Sequence, residues 1–374
     1  MRSVLFLCVL VPWATAAQVT DAGTIDAGPV EADARAALTD AGELLADTDD
    51  DGSSAEATGE DLPEQASEAS PDSGFKYTAD LSDAELARLW KEDPAALGSI
   101  SIGRPEEGRL INAMPFPEPG DGGAWSVIVP ESCWTTKETA DQLIKVAEQL
   151  RAWLPDGAPV RIGQVSASEG GFLPPHITHQ NGRDIDIGLF YPGEEPYRVK
   201  EREKVMDVPT NWAFVKALLE HADVQYILLD KRVQKVLYDY ALKHGEDRAT
   251  LDKLFNGGPR GIFHHARRHR DHFHVRLFNP RAQELAYRLA PLMPVRPDEN
   301  VAFHKVKKGD TLGGIAWKYG STVKTLQTKN HLTTNLLRIG QIIRVPLRGP
   351  CTDCPVPPLP VVPPRIVFPP RKGA

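Results

Sequence analysis

The chain has 374 residues with a formal charge of −8, enough for two folded domains and extensions. The charge is uneven: residues 21–72 hold sixteen Asp and Glu against the single Arg35, a balance of −15, and Arg2 adds +1. Residues 73–374 therefore carry +6, which excludes describing the folded part as acidic.

The N-terminus has the pattern of a secretory signal peptide over residues 1–17. Arg2 supplies the positive charge, residues 4–11 the apolar core, and residues 14–17 a small-residue cleavage site. This apolar stretch is too short to span a bilayer as a helix, and no longer one follows. We expect a soluble, exported protein, periplasmic or secreted, with no membrane span and no indicated nucleic-acid or protein partner.

Residues 18–75 are rich in Ala, Asp, Glu, Gly and Ser and almost without aromatic side chains. Such a segment buries too little apolar surface to offset the entropy of ordering it. We predict a disordered acidic arm.

Helices and strands are predicted from about residue 81 onward. Ser82 with Glu85, and Thr135 with Glu138, have the spacing of helix-capping boxes. Further predicted elements are a strand at 160–165, helices at 209–221 and 231–244 around a strand at 224–229, and a last helix at 281–289.

Two short runs hold five of the eleven histidines, and His264 and His265 lie just before the second run. The runs are residues 176–186, His-Ile-Thr-His-Gln-Asn-Gly-Arg-Asp-Ile-Asp, and residues 269–274, His-Arg-Asp-His-Phe-His. Polar and apolar residues alternate from Asp184 and from His272, which predicts two strands with one polar face each. We predict an α+β fold, a small antiparallel sheet with flanking helices around a zinc cleft.

The residue types in these runs are those that bind catalytic zinc, which takes three protein ligands and leaves one position for water. His179 and Asp186 can bracket a tight turn and face one ion. His272 and His274 share a strand face, so that one can bind the metal while the other lies beside the bound water. Asp184 lies on the same face as Asp186 and can hydrogen-bond a ligand histidine.

Residues 302–347 form a separate unit. Gly309-Asp310-Thr311-Leu312, Asn330 and the run from Ile339 to Pro346 resemble the marks of a LysM module, with β-α-α-β order. Trp317, in the first helix of this unit, is expected in the core of the module rather than on its surface as a platform for sugar. Residues 348–374 are rich in proline and predict an extended tail.

Three cysteines remain after the signal peptide. Cys351 and Cys354 lie in proline-rich sequence with no second pair, which favours a local disulfide over a zinc site or a redox pair. Cys133 is expected to be unpaired and buried.

The spacing His176-x2-His179-Gln180-x-Gly182-x-Asp184-x-Asp186, followed by His269-x2-His272-x-His274, resembles the motifs of the penicillin-insensitive murein endopeptidases. These belong with the zinc peptidases of lysostaphin, D-Ala-D-Ala metallopeptidase and hedgehog type. The resemblance covers about residues 98–292, within a predicted peptidase domain of residues 76–295. Some members of the family are stabilised by several disulfides. Since this domain has only Cys133, we do not expect those disulfides here.

The resemblance implies a role for each matching residue. His179, Asp186 and His274 correspond to the zinc ligands. His272 corresponds to the catalytic base or to the residue that orients the zinc-bound water, and His269 to a second catalytic histidine that stabilises the transition state. His176 corresponds to a supporting residue near the substrate.

The predicted function is hydrolysis of peptide cross-links in peptidoglycan by a secreted zinc enzyme that the LysM module holds on the glycan. Two alternatives remain at this stage. One is a carboxypeptidase that removes a terminal D-alanine, and the other is a wall-binding protein whose zinc site is not catalytic. The sequence leaves open which cross-link is cut and how His269 and His272 divide their work.

Overall fold

The computed structural model describes residues 74–120, 123–173, 176–293, 301–346 and 354–368. The predicted signal peptide, residues 18–73 of the predicted acidic arm, and Cys351 lie outside these residues. No helix among the described residues is long and apolar enough to cross a membrane.

The predicted peptidase domain, residues 76–295, is called the peptidase region below. Its first half begins with helix α1 and a hairpin that lies next to the first histidine run. Its elements are α1 (Asp83–Glu92), β1 (Ile100–Arg104), β2 (Glu107–Ile111), β3 (Met114–Pro115), β4 (Trp125–Val127), β5 (Trp134–Thr135), α2 (Lys137–Trp153), β6 (Val160–Ile162) and β7 (Asp184–Gly188).

The second half supplies the remaining strands of the main sheet and four helices. These elements are α3 (Val208–His221), β8 (Val224–Leu229), α4 (Lys231–Lys243), α5 (Arg248–Phe255), β9 (Phe263–His265), β10 (His272–Leu277) and α6 (Pro280–Leu289). Short 3-10 turns at 94–97, 130–132, 202–204, 258–260 and 290–292 connect them.

The main sheet has six strands in the order β4-β6-β7-β10-β8-β9. The α+β fold is confirmed, and the centre of the sheet is antiparallel as predicted. Both edges differ from the prediction, because β4 pairs with β6 and β8 with β9 in parallel. The cause is the connections: α2 links the first pair and α4 with α5 the second, and parallel neighbours require such crossovers.

The apolar faces of the helices and the sheet enclose the main core. Ile185 and Ile187 of β7, and Phe273 and Val275 of β10, are completely buried, whereas their polar neighbours face the other way. The predicted cap at Ser82 is confirmed, since its side chain accepts from the Glu85 amide. The predicted cap at Thr135 is wrong by one residue: Thr136 caps α2, because Thr135 lies in β5 and donates to the Gly182 carbonyl.

The chain just after the predicted arm is fixed to α6. The buried carboxylate of Glu284 accepts hydrogen bonds from the backbone amides of Lys76, Tyr77 and Thr78, and from the Thr78 hydroxyl. Arg288, one turn later on α6, donates to the Thr78 carbonyl. This anchor is polar and lies outside the main core.

The LysM unit has its own core and the predicted β-α-α-β order. Its elements are β11 (Val301–Lys305), α7 (Leu312–Lys318), α8 (Val323–Lys329) and β12 (Ile342–Pro346). Leu312, Ile315 and Ala316, spaced i, i+3 and i+4, fill the inner face of α7. The expectation for Trp317 is therefore wrong, since this side chain is 79 % exposed on the outer side.

After the LysM unit, the extended tail returns to the peptidase region. Cys354 is disulfide-bonded and packs against a small apolar cluster that contains Ile102 and Leu289. Met293, the last described residue before the module, packs on the same cluster. At the far end of the tail, Phe368 is only 7 % exposed.

Phe368 contacts α3, where its ring meets Trp212 edge-on at 5.9 Å. The Ile366 amide donates to the Leu219 carbonyl, and Arg365 forms an ion pair with Asp223 at 2.7 Å. These contacts make the tail part of the packing of the peptidase region.

We predict that Phe368→Ala lowers the free energy of unfolding of the peptidase region by about 1–3 kcal/mol. The estimate is below the full cost of a buried Phe→Ala change, because an extended segment outside the main sheet can separate locally. Urea unfolding followed by tryptophan fluorescence measures the loss. Val367→Ala is the matched control, because Val367 is exposed. An equal loss of stability in both variants would contradict the conclusion that the buried Phe368 ring stabilises the peptidase region.

Candidate metal centre

The two histidine runs meet at the centre of the main sheet, where β7 pairs with β10. The register places His274 directly opposite Asp186, and Arg276 opposite Asp184. Because side chains alternate along a strand, all four point to the same face. The predicted polar face is therefore formed by both strands together.

Hairpin β1–β2 and the turn before β7 hold the first run in place. Ser101 donates to the Asn181 carbonyl, and Asn181 donates back to the Gly103 carbonyl. A side chain at Gly108 would come within 2.8 Å of Asn181, so the hairpin needs glycine there. His179 itself has a φ of 68°, a left-handed conformation that is uncommon for a residue with a side chain.

Three atoms form a small triangle at the centre of the site. His179 Nε2 lies 3.3 Å from Asp186 Oδ1, and His274 Nδ1 lies 3.2 Å from each of those two atoms. His176 lies on the other side of the carboxylate, with Nε2 3.6 Å from Asp186 Oδ2. His176, His179 and Asp186 also form a group whose ligand atoms are close enough to hold a metal ion.

The outer hydrogen bonds decide which nitrogen of each ring carries the proton. His179 Nδ1 faces the Val165 carbonyl at 3.0 Å, and His274 Nε2 faces Asp184 Oδ2 at 3.2 Å. Both of these oxygens can only accept, so the outer nitrogens donate and the inner nitrogens carry lone pairs. Two lone pairs and a carboxylate oxygen thus face one another, an arrangement that repels itself unless a cation lies between them.

Buried atoms of the site support the same interpretation. Asp186 Oδ1 and His272 Nε2 are shielded from solvent and make no hydrogen bond among the described residues. Burial opposes ionisation of Asp186, but the neighbouring imidazoles outweigh it and hold its pKa well below the usual range. Burial likewise opposes protonation of His274, yet the neighbouring carboxylates of Asp184 and Asp186 raise its pKa to about 9. Both shifts indicate a site that attracts positive charge.

A buried ion pair supports His274 from behind. Arg276 donates to both oxygens of Asp184 at 2.6 and 2.7 Å, and neither side chain is exposed. Burial would raise the pKa of Asp184, but the Arg276 charge and hydrogen bonds hold it well below the usual range. Asp184 is therefore an ionised carboxylate that accepts a hydrogen bond from His274 Nε2 and keeps the ring in this tautomer.

His272 and His269 line the edge of the site. His272 Nδ1 lies 2.7 Å from Asp271 Oδ1, and its Nε2 lies 3.7 Å from Asp186 Oδ1. Burial opposes protonation of His272, but the Asp186 charge and the Asp271 hydrogen bond outweigh it and raise its pKa. Burial and the neighbouring His272 and His274 lower the pKa of His269 to about 3.

The ring of His269 is fixed by its own hydrogen bond. Its Nδ1 donates to the Arg267 carbonyl at 2.9 Å, which leaves a lone pair on Nε2. In this neutral form, Nε2 can accept a proton or a hydrogen bond. The transition-state role expected for His269 would need a donor at Nε2, and that role stays a prediction.

The structure brings together all seven residues that the sequence singled out for the site: His176, Asp184, His179, Asp186, His269, His272 and His274. His264 and His265 lie elsewhere, hydrogen-bonded to the Gly261 carbonyl and to the Lys231 amide.

Three polar partners were missed by the sequence interpretation. They are Gln164, which contacts His176 Nε2, Asp271 beside His272, and Arg276 beside Asp184. Asp271 sits between two predicted catalytic histidines in the printed sequence, and that position is the one signal that could have identified it.

Comparison with known proteins identifies the family of this chain. Residues 101–294, just over half of the chain, match the penicillin-insensitive murein endopeptidases, and the chain belongs to this family. Residues 304–346 match the LysM domain.

Curated relatives share only short stretches with this chain. An N-acetylmuramoyl-L-alanine amidase, XlyB, of Bacillus subtilis is 57 % identical over 44 residues, 12 % of this chain and 14 % of the relative. A probable N-acetylmuramidase of Lactococcus lactis is 44 % identical over 46 residues, which are 12 % of this chain and 10 % of the relative. The probable endopeptidase p60 of Listeria seeligeri is 39 % identical over 54 residues, which are 14 % of this chain and 10 % of the relative. The chain therefore spans a small part of these relatives.

We predict opposite outcomes for two changes at the buried pair. Asp184→Leu alone leaves the Arg276 charge buried without its partner, which costs about 3–5 kcal/mol of stability. The double variant Asp184→Leu/Arg276→Met recovers most of that stability, since buried ion pairs can often be replaced by apolar groups. Denaturant unfolding of both variants measures the difference.

Metal binding should not recover in the double variant, because His274 has lost the acceptor for its outer nitrogen. We expect metal affinity about 10–100-fold weaker than in the parent, the usual effect of losing such a partner. A double variant that binds metal as tightly as the parent would show that Asp184 does not orient His274.

Proposed function

We propose that this chain is an exported zinc-dependent endopeptidase that hydrolyses peptide cross-links of bacterial peptidoglycan. The observation that carries the proposal is the triangle of His179 Nε2, Asp186 Oδ1 and His274 Nδ1, with its lone pairs turned inward. Membership of the murein endopeptidase family supports the substrate class.

The donor set fits zinc in type and in size. Zinc takes imidazole nitrogen and carboxylate oxygen at about 2.0–2.2 Å, and in a tetrahedron such ligand atoms lie about 3.3–3.6 Å apart. The observed edges of 3.2 and 3.3 Å are close to the lower end of that range. We assign His179, Asp186 and His274 as ligands and keep His176 as a neighbour, because its Nε2 is engaged with Gln164.

When bound, zinc would supply a water of lowered pKa and polarise the scissile carbonyl. His272 would serve as the base that takes a proton from the attacking water. Its Nδ1–H is held by Asp271, so Nε2 presents a lone pair toward the site. A base that can both receive and return a proton near neutral pH suits peptide hydrolysis, and His272 can later pass the proton to the leaving amine.

Asp271 acts through His272. A carboxylate at 2.7 Å from Nδ1 fixes the tautomer and stabilises the ring when it becomes charged. The neutral ring of His269 accepts a hydrogen bond from the attacking water, which orients that water. We therefore assign His269 a positioning role in place of the transition-state stabilisation that the resemblance implied.

The LysM module would hold the enzyme on the glycan. Three relatives that share only short stretches with the chain are named as an amidase, a muramidase and an endopeptidase. The shared stretches, 44 to 54 residues, are close in length to the 43 residues of the LysM match. This supports a wall-binding module that occurs with different cleavage reactions.

The decisive experiment is digestion of purified sacculi followed by separation of the muropeptides. We expect cross-linked dimers to disappear and monomers to accumulate, with a chelator stopping the reaction and added zinc restoring it. Unchanged dimers in the presence of zinc would reject the proposal. Release of free D-alanine from monomeric stems would assign the carboxypeptidase activity instead.

Two alanine variants separate metal binding from catalysis. We predict that His272→Ala lowers kcat by about 10²–10⁴-fold, the usual contribution of a general base, and still binds zinc. His274→Ala should lose both zinc and activity, because only two protein ligands remain. Zinc content by atomic absorption and cleavage of a soluble dimer are the measurements. A His272→Ala enzyme as active as the parent would favour the non-catalytic alternative.

A further inference from the structure

Positive charge is concentrated in the LysM module. Residues 301–346 contain eight Lys and Arg and a single acidic residue, Asp310, a formal charge of +7. Asp310 is itself occupied, since its carboxylate bonds His304 Nε2 at 2.8 Å and accepts from the Lys307 amide. The module therefore has no other carboxylate with which to neutralise its lysines and arginines.

The sheet of this module has one face turned away from its core. His304, Ile343 and Val345 are buried against the helices, so the alternate residues of β11 and β12 face outward. These outward residues are Phe303, Lys305, Ile342 and Arg344, and we call them the outer face. Phe303 is 71 % and Ile342 63 % exposed.

On the outer face, charged and apolar side chains alternate along each strand and also across the strand pair. The antiparallel register pairs Phe303 with Arg344, and Lys305 with Ile342. Each apolar side chain thus lies opposite a cation, and the two cations are diagonal neighbours, about 7–8 Å apart at the backbone. Exposed apolar side chains that are flanked by charged ones make this face a candidate binding surface.

The backbone beneath this face is fixed. Asn330 accepts from the Arg344 amide at 2.7 Å and donates to the Arg344 carbonyl at 2.8 Å. The position of Arg344 therefore does not depend on its own side chain. Its guanidinium and the ammonium of Lys305 can be changed without disturbing the module's core.

We propose that the outer face binds the peptide stems of peptidoglycan, with Lys305 and Arg344 contacting stem carboxylates. Phe303 and Ile342 lie against the alanine methyl groups of the same stems. Charge complementarity selects this partner, because the glycan backbone between the stems offers no negative charge to two cations. The inference rests on the proposed function for its substrate, and it adds a second, ionic contact to glycan binding by the module.

The test measures how tightly the full chain binds purified sacculi. The chain carries His272→Ala to slow digestion. At low ionic strength, Lys305→Gln/Arg344→Gln should raise the dissociation constant about fivefold, as expected for two exposed ionic contacts. In about 1 M NaCl, where charges are screened beyond about 3 Å, the difference from the parent should vanish. Phe303→Thr/Ile342→Thr should weaken binding at both salt concentrations, since Thr keeps the strand but removes the apolar surface.

Lys318→Gln/Lys324→Gln is the matched control, because it removes two exposed charges from the helices on the other side of the sheet. An equal loss in this control would mean that net charge alone matters and would overturn the proposal. So would an equal loss on chitin, which has no carboxylates, or on sacculi whose carboxylates have been amidated. Binding to anionic lipid vesicles that falls with the Lys305→Gln/Arg344→Gln change would point to a membrane surface instead.

Cleavage of soluble muropeptide dimers separates this inference from the proposed function. The outer-face variants, made without the His272→Ala change, should cut these dimers at the rate of the parent, because a soluble substrate needs no anchor. If the parent itself leaves the dimers intact, the proposed function fails while the binding result still stands.

Discussion

The buried pair of Asp184 and Arg276 is the interaction on which the metal centre depends. It crosses from β7 to β10 at the position next to the pair of Asp186 and His274. A slip of one residue between the strands would bury Arg276 against apolar side chains and turn both histidines of β10 into the core. The same pair fixes the tautomer of His274 through Asp184. Register, charge balance and ligand orientation therefore depend on one contact.

The other half of the centre is held by backbone groups. His179 lies in a left-handed conformation at the end of a loop, and its outer nitrogen bonds the Val165 carbonyl. The hairpin β1–β2 supports this loop through Asn181. One of the two proposed ligand histidines is thus placed by a strand and the other by a constrained loop. This difference means that changes near Gly108 or Asn181 act on the site without touching any ligand.

The site was predictable where a regular period controls it. Alternation along β7 and β10 places Asp184, Asp186, His272 and His274 on one face, and their order in the sequence is sufficient to see this. The partners of His179 and His176 were not predictable, because Val165 and Gln164 approach through the fold and have no fixed spacing to the histidines. The parallel edges of the sheet were missed for the same reason, since the pairing of β8 with β9 is decided by the packing of the two helices that connect them along the chain.

The LysM module is attached at both ends to one place on the peptidase region. Met293 before it and Cys354 after it pack on the same apolar cluster, and seven residues separate each from the module. Seven residues extend at most about 23–25 Å, so the module is held on a short double tether. Under the proposed function, an enzyme anchored by this module would reach only cross-links near the glycan that holds it. Its progress over a sacculus would then be limited by how quickly the module releases the wall, and tighter wall binding would slow overall digestion.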